Sequence, residues 1–300
     1  VVALAFHWID RVVIARLQGR VGPPWYQPLA DLVKLLAKED VLPYGARQRA
    51  CALLPMVSLA AVLTAATVIP VGPRPGCGPN VGWPATASFE GDLIVALFLL
   101  SAPALAYFMG GWVSASAFGI VGGSRALLQY FAYEVPFLMA LIGPAIASGS
   151  WSISCIAEWQ AQGTWLVFMQ PVGFVLAFVG LIGKLKRSPF DIPKAKTEIG
   201  AGPLTEFSGR KLMLWHLSLQ IKTVVGVFLL VNVFFGGAGD GPALLTALGF
   251  AAKAGLILLG LSVADAAYAR LRIDQLASLG WRVLAPLALL QMVTVALAGM

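Results

Sequence analysis

Seven apolar runs, at about residues 50–70, 92–113, 126–149, 164–183, 212–235, 243–267 and 282–299, constrain this chain more than any other feature. Each is close to the ~20 residues a helix needs to cross the hydrocarbon of a bilayer. Backbone groups in lipid must pair within their own segment, so the runs read as helices. The N-terminal VVALAFHW is apolar but too short to span, and reads as the tail of a clipped first helix. A cleavable signal peptide fits it less well, because no basic stretch precedes it and no small-residue cleavage pattern follows. The expected fold is an all-α integral membrane protein with about eight transmembrane helices, forming one polytopic domain over residues 1–300.

Composition agrees with that class. With 59% hydrophobic and 12% charged residues, the chain has too little polar surface to cover a soluble domain of 300 residues. Its net charge of +7 does not call for nucleic acid, since the basic residues sit between the apolar runs. Lys and Arg number seven, one, seven and three in the loops after the first, third, fifth and seventh spans, and Arg74 is alone in the other loops. The odd loops are therefore expected on the cytoplasmic side and both chain ends outside. Cys51, Cys77 and Cys155 lie far apart with no CxxC, which argues against a cluster or structural zinc held by this chain alone. Cys77 and Cys155 fall in outward loops, where an oxidising compartment would let them pair.

Two polar stretches carry most of the signal. Residues 28–41 bring Leu29, Leu32, Val33, Leu35, Leu36 and Val41 near one another on a helical wheel, as in a helix lying on the membrane surface or a partner. A short helix in a soluble loop is the plainer reading. Residues 184–211, KLKRSPFDIPKAKTEIGAGPLTEFSGRK, form the longest polar segment between two apolar runs. So charged a loop is expected on the water side, with its acids able to fold back into the mouth of the bundle.

Ionisable residues inside apolar runs are the candidates for chemistry, because facing lipid would cost each of them several kcal/mol. Glu134 follows Tyr130 and Tyr133, Lys222 lies two turns into its run, and Lys253 and Asp265 share the next one. Lys253 and Asp265 are ~18 Å apart along an ideal helix, so they do not pair with each other. With Glu198 and Glu206 of the central loop, these groups suggest a hydrated ion path. The alternative, in which each is half of a structural ion pair, stays open. His7 and His216, at the cytoplasmic edges of their runs, read as interface residues rather than ligands.

In order, DRVVIARLQGRVGP, QPLADLVKLLAKEDVLP, QYFAYEV, RSPFDIPKAKTEIGAGPLTEFSG and RLRIDQL resemble the H-type membrane subunit that joins the two arms of respiratory complex I. The resemblance covers nearly the whole chain. Within that superfamily, GPPWYQPLADLVKLLAKED and KAKTEIGAGPLTEFSGRK are more similar to the membrane anchor subunit of energy-converting (group 4) nickel-iron hydrogenases. Such a resemblance implies a multi-pass anchor in the cell inner membrane, coupling a cytoplasmic redox arm to H+ or Na+ export. Implied partners are an iron-sulfur small subunit and a catalytic large subunit on the cytoplasmic side, antiporter-like membrane subunits, and lipids. The nickel-iron centre and iron-sulfur clusters would sit in those partners, none in this chain.

Residue by residue, Glu134, Glu198 and Glu206 match acids of the family's glutamate-lined entry path and Lys253 a position of its seventh helix; with Lys222 and Asp265 from the apolar runs they make up the expected ion path. Arg187, Pro189, Phe190 and Asp191 match the coupling loop beside the quinone cavity of complex I. Arg11, Arg16, Gln18, Arg20, Lys34, Lys38, Glu39, Arg270, Arg272 and Asp274 match the partner interface. Where complex I usually carries acids this chain has Lys194 and Lys196, and where it carries a base followed by Pro this chain has Asp265 and Ala269. Those reversals disfavour quinone and favour electrons ending on protons. The rivals are the quinone-site subunit of an NAD(P)H- or ferredoxin-linked complex, and a free-standing secondary transporter, for which no inverted halves are visible.

Overall fold

The computed structural model describes residues 1–71, 89–239 and 241–298, and every regular element within them is helical. In chain order these are α1 Val2–Leu17, α2 Gln27–Ala37, α3 Gln48–Val68, α4 Asp92–Val113, α5 Ala117–Ser148, α6 Ile153–Ala161 and α7 Leu166–Met169. There follow α8 Pro171–Leu185, α9 Lys196–Ile199, α10 Gly209–Phe235, α11 Ala243–Ala267, α12 Ile273–Leu279 and α13 Ala285–Ala298. Six are long and apolar enough to cross a bilayer: α3, α4, α5, α10, α11 and the continuous 273–297 segment. The protein is a multi-pass, all-helical membrane protein.

Several boundaries differ from the sequence expectation, each for a local reason. The first helix does not stop at Trp8 but continues to Leu17, because no Gly or Pro interrupts it before Gly19, whose φ of +70° ends it. Asp10, expected in a loop, is thereby buried inside a helix. The expected span at 164–183 is broken: Pro171 opens α8, which at 15 residues is shorter than a full crossing. The third and last spans start earlier than expected, at Ala117 and Ile273. The surface helix occupies Gln27–Ala37 and ends sooner than Val41. Cys155 is disulfide-bonded, and Cys77, its expected partner, lies outside the described residues.

Helices α5 and α10 hold the centre. In the α10 span 67% of the most apolar window is buried, against 33% for α11 and for the last span, which present Leu256, Leu259 and Leu290 outward to lipid. Polar contacts fix the register between spans. Ser58 and Ser218 hydroxyls meet at 2.7 Å between α3 and α10, and Asn232 Nδ2 donates to Pro70 O at 2.9 Å. The Asp92 carboxylate accepts the Ile153 N–H at 2.6 Å, joining the start of α4 to α6.

Between α12 and α13 the last span widens into a π turn, Gly280–Leu284, where α5 crosses it. A Cβ on Gly280 would overlap the carbonyl of Ala132 in α5, so only glycine lets the backbones approach this closely. Gly280→Ala is expected to destabilise the protein by about 1–3 kcal/mol, read as a lower midpoint of thermal unfolding of the purified membrane complex.

Candidate functional site

Two adjoining cavities, of about 420 and 700 Å³, share His7, Asp10, His216, Gln220 and Asp265. They lie where α1, α2, α10 and α11 meet the segment following α8. Arg187 in that segment donates to both oxygens of Asp10, at 2.7 and 2.8 Å, and the Ser262 hydroxyl of α11 lies 2.6 Å from the same carboxylate. Asp265 Oδ1 accepts the Ser188 N–H at 3.1 Å, and Leu271 N–H donates to Pro189 O at 3.0 Å. The loop after α8 is thus pinned by acids from two helices, while Phe190 anchors it in the core. On the outer wall, Arg11 holds Asp31 at 3.1 Å and keeps α2 against α1.

Behind these cavities most of the buried charged residues are basic. Lys186, one residue past α8, adopts φ +54° and turns inward until its ammonium lies 3.2 Å from the centroid of the Tyr107 ring. Lys222 is buried within α10, and among the described residues no side chain hydrogen-bonds to it. Lys184 Nζ donates to Glu134 Oε1 and Oε2 at 2.8 and 3.0 Å and to Ser101 Oγ at 3.0 Å, and Ser101 in turn hydrogen-bonds Glu134. Around them Tyr107 OH, Tyr133 OH, Gln129 Oε1, Trp215 Nε1 and Gln220 Oε1 are buried with no hydrogen-bond partner among the described residues. Such a concentration of buried polar atoms is a place for internal water.

Burial, reinforced by Lys222 and Lys194, holds the Lys186 ammonium well below the ordinary lysine pKa of 10.5, with Asp191 opposing. The unfolded chain binds a proton that the folded chain gives up between those two pKa values, so stability rises with pH across that window. Lys186→Met is expected to flatten this rise. Unfolding midpoints measured from pH 7 to 10 on wild-type and variant complexes will show it as a smaller slope in the variant.

The expected ion-path residues are not all brought together. Glu134 and Lys222 stand in the buried basic cluster, and Asp265 lines the cavities. Glu198 is half-exposed, bound to Arg125 at 2.5 Å and near Arg270 at 3.7 Å. The Arg125 hydrogen bond lowers its carboxyl pKa below the usual value. Glu206 is half-buried in the loop. Lys253 stands at the other end of α10, donating to Phe235 O and Gly237 O at 2.8 and 2.9 Å, where a cation meets the negative end of the helix dipole.

The central loop departs from expectation in one respect. Its bases fold deepest into the bundle: Lys184 is 1% and Lys186 4% exposed, while of its acids Asp191 lines the cavity, partly buried, and the Glu198 side chain is 50% exposed. Lys184 and Lys186 therefore drop out of the charge count for orientation, and the remaining bases keep its sign. His7 and His216, read from sequence as interface residues, both face the cavities. Asp10, Ser262, Ser101, Lys184 and Lys186 belong to the site without a role that sequence assigned to them. The available signals were an acid inside an apolar helix and a lysine closing the GLIGK run. Among the expected interface residues, Arg16, Gln18, Arg20, Lys34, Lys38, Glu39, Arg270, Arg272 and Asp274 are exposed.

A family model described as NADH dehydrogenase matches residues 1–296. The chain belongs to the NADH dehydrogenase family. Among its relatives is the second of the H-type subunits of NADH-quinone oxidoreductase in Rhodopseudomonas palustris, 35% identical over 298 residues, covering 97% of this chain and 90% of that one. The protein of the same name from Syntrophobacter fumaroxidans is 35% identical over 295 residues, covering 96% and 88%. A chain from the structure of the membrane-bound sulfane sulfur reductase, an archaeal respiratory membrane complex, superposes with a TM-score of 0.86 at 27% identity, over 98% of this chain and 94% of that one. Family membership and the spanning helices place the protein in the inner membrane. The hydrogenase branch suggested by the loop motif draws no support from these relatives, whose names favour the quinone-linked reading.

Proposed function

We propose that the chain is the membrane subunit through which a complex I-like respiratory assembly couples electron transfer in a cytoplasmic arm to ion movement across the membrane. The cavities beneath α2 receive the quinone, and the buried cluster behind them carries charge inward. One observation carries this reading: polar cavities of ligand size end on a buried succession of Lys186, Lys222, Lys184 and Glu134, lined by polar atoms that have no partner among the described residues. His7 and His216 offer ring N–H groups to quinone oxygens, and Asp10–Arg187 holds the loop that closes the cavity. Exposed Arg16, Arg20, Lys34, Lys38 and Arg272 form the surface on which the soluble subunits dock.

The purified assembly is expected to reduce a short-chain quinone, and His216→Phe, which fills the cavity, to raise the quinone KM about tenfold. Full activity of the variant toward quinone would remove the site from this cavity. A second reading follows from Lys194 and Asp265 both lining it, a charge arrangement opposite to that of complex I. In that case the chain anchors a nickel-iron hydrogenase module with its small and large subunits. Nickel in the co-purifying large subunit, with hydrogen evolution and no quinone reduction, would decide for it.

A further inference from the structure

A separate cavity of about 380 Å³ reaches Glu134 from another direction, between α4 and α5. Its walls are Leu97, Leu138 and Ile142, its floor is Ser101, Tyr130 and Glu134, and Ile94, Phe98 and Trp151 stand at its rim. Ile94 is 54% and Phe98 71% exposed on a membrane-spanning helix, so the mouth opens sideways into hydrocarbon. An apolar crevice that ends on a carboxylate selects its occupant by the head it will accept.

A carboxylate offers about four lone-pair positions. Lys184 takes one on each oxygen of Glu134, and Ser101 a second on Oε1, leaving a position on Oε2. A cationic head would compete with Lys184 Nζ, which already holds both oxygens of Glu134. An anionic head would face that carboxylate directly. A neutral O–H fits both constraints: it donates to Glu134 and adds no charge.

We propose that this crevice binds, from the bilayer, an uncharged hydroxyl-headed amphiphile, with its O–H donated to Glu134 Oε2 and its tail along Leu97, Leu138 and Ile142. The site stands whether or not Glu134 carries protons, so it fails separately from the functional reading above. Trp151 at the rim supplies the readout, because a bromine atom close to an indole quenches its fluorescence.

The experiment titrates the intact membrane complex in lipid nanodiscs with ω-bromoundecanol, bromoundecane and ω-bromoundecylamine. Subtracting the signal of Trp151→Phe isolates the one tryptophan among the nine of this chain. Saturable quenching by the alcohol is expected, with half-saturation at least about tenfold higher for the alkane and the amine, as loss of a hydrogen bond to a charged acceptor requires. Leu138→Phe, or Ile142→Phe if the first variant does not assemble, fills the crevice and is expected to abolish saturation. Equal quenching by alcohol and alkane would reduce the crevice to ordinary lipid contact and overturn the proposal. Absence of quenching by every probe would mean that a partner helix covers the mouth, which also overturns it.

Discussion

Arg187→Met is expected to destabilise the protein by about 3–5 kcal/mol, the usual consequence of leaving one member of a buried ion pair behind. The pair is well placed for so large an effect: side-chain exposure is 13% for Arg187 and 7% for Asp10, and both guanidinium contacts are shorter than 3 Å. Without Arg187, Asp10 keeps only the Ser262 hydroxyl as a side-chain partner among the described residues. The double variant Asp10→Asn with Arg187→Met removes both charges and is expected to recover most of the loss. A double-mutant cycle on the unfolding midpoint of the complex measures the coupling. If the single and double variants are equally destabilised, the ion pair does not hold α1, α11 and the loop together.

Glu134→Gln is expected to abolish most of the ion gradient formed by the reconstituted complex, while electron transfer in the soluble arm continues. Glutamine keeps the side-chain shape and its contact with Ser101 but cannot exchange a proton or hold the charge of Lys184. The measurement is a pH- or ion-sensitive dye in proteoliposomes, recorded alongside oxidation of the electron donor. A gradient equal to wild type at equal turnover would exclude Glu134 from the ion path and leave it as a structural partner of Lys184.

The two variants also separate what this bundle asks of buried charge. Asp10–Arg187 is a bidentate pair joined by Ser262, a geometry that fixes position. Lys184–Glu134 sits among buried polar atoms that have no partner among the described residues and in the same cluster as Lys222, which in the proposed ion path is where protons and water rearrange.

Most of the architecture was legible in the chain itself. Runs of about 20 apolar residues can exist in lipid only as helices, so α3, α4, α10 and α11 fall where the sequence places them. Glu134 and Lys222 were also visible, because an ionised group in such a run has to find a partner or a cavity. What hydropathy cannot see is whether a helix stops when its apolar run does. Residues Asp10 to Leu17 continue α1, and Lys184 and Leu185 complete α8, because nothing in their backbone breaks the helix, although their side chains read as loop.

The sequence therefore determined the class of the protein, its spans and the kinds of charge available to it, since these follow from the free energy of each segment against water and lipid. Only the tertiary structure decided which charges meet. Lys184 finds Glu134 across 50 positions of sequence, Arg187 finds Asp10 across 177, and Lys253 is drawn instead to the carbonyls ending α10. No local property of the chain encodes those pairings. They depend on which helices pack side by side, and on the depth at which each side chain leaves its helix.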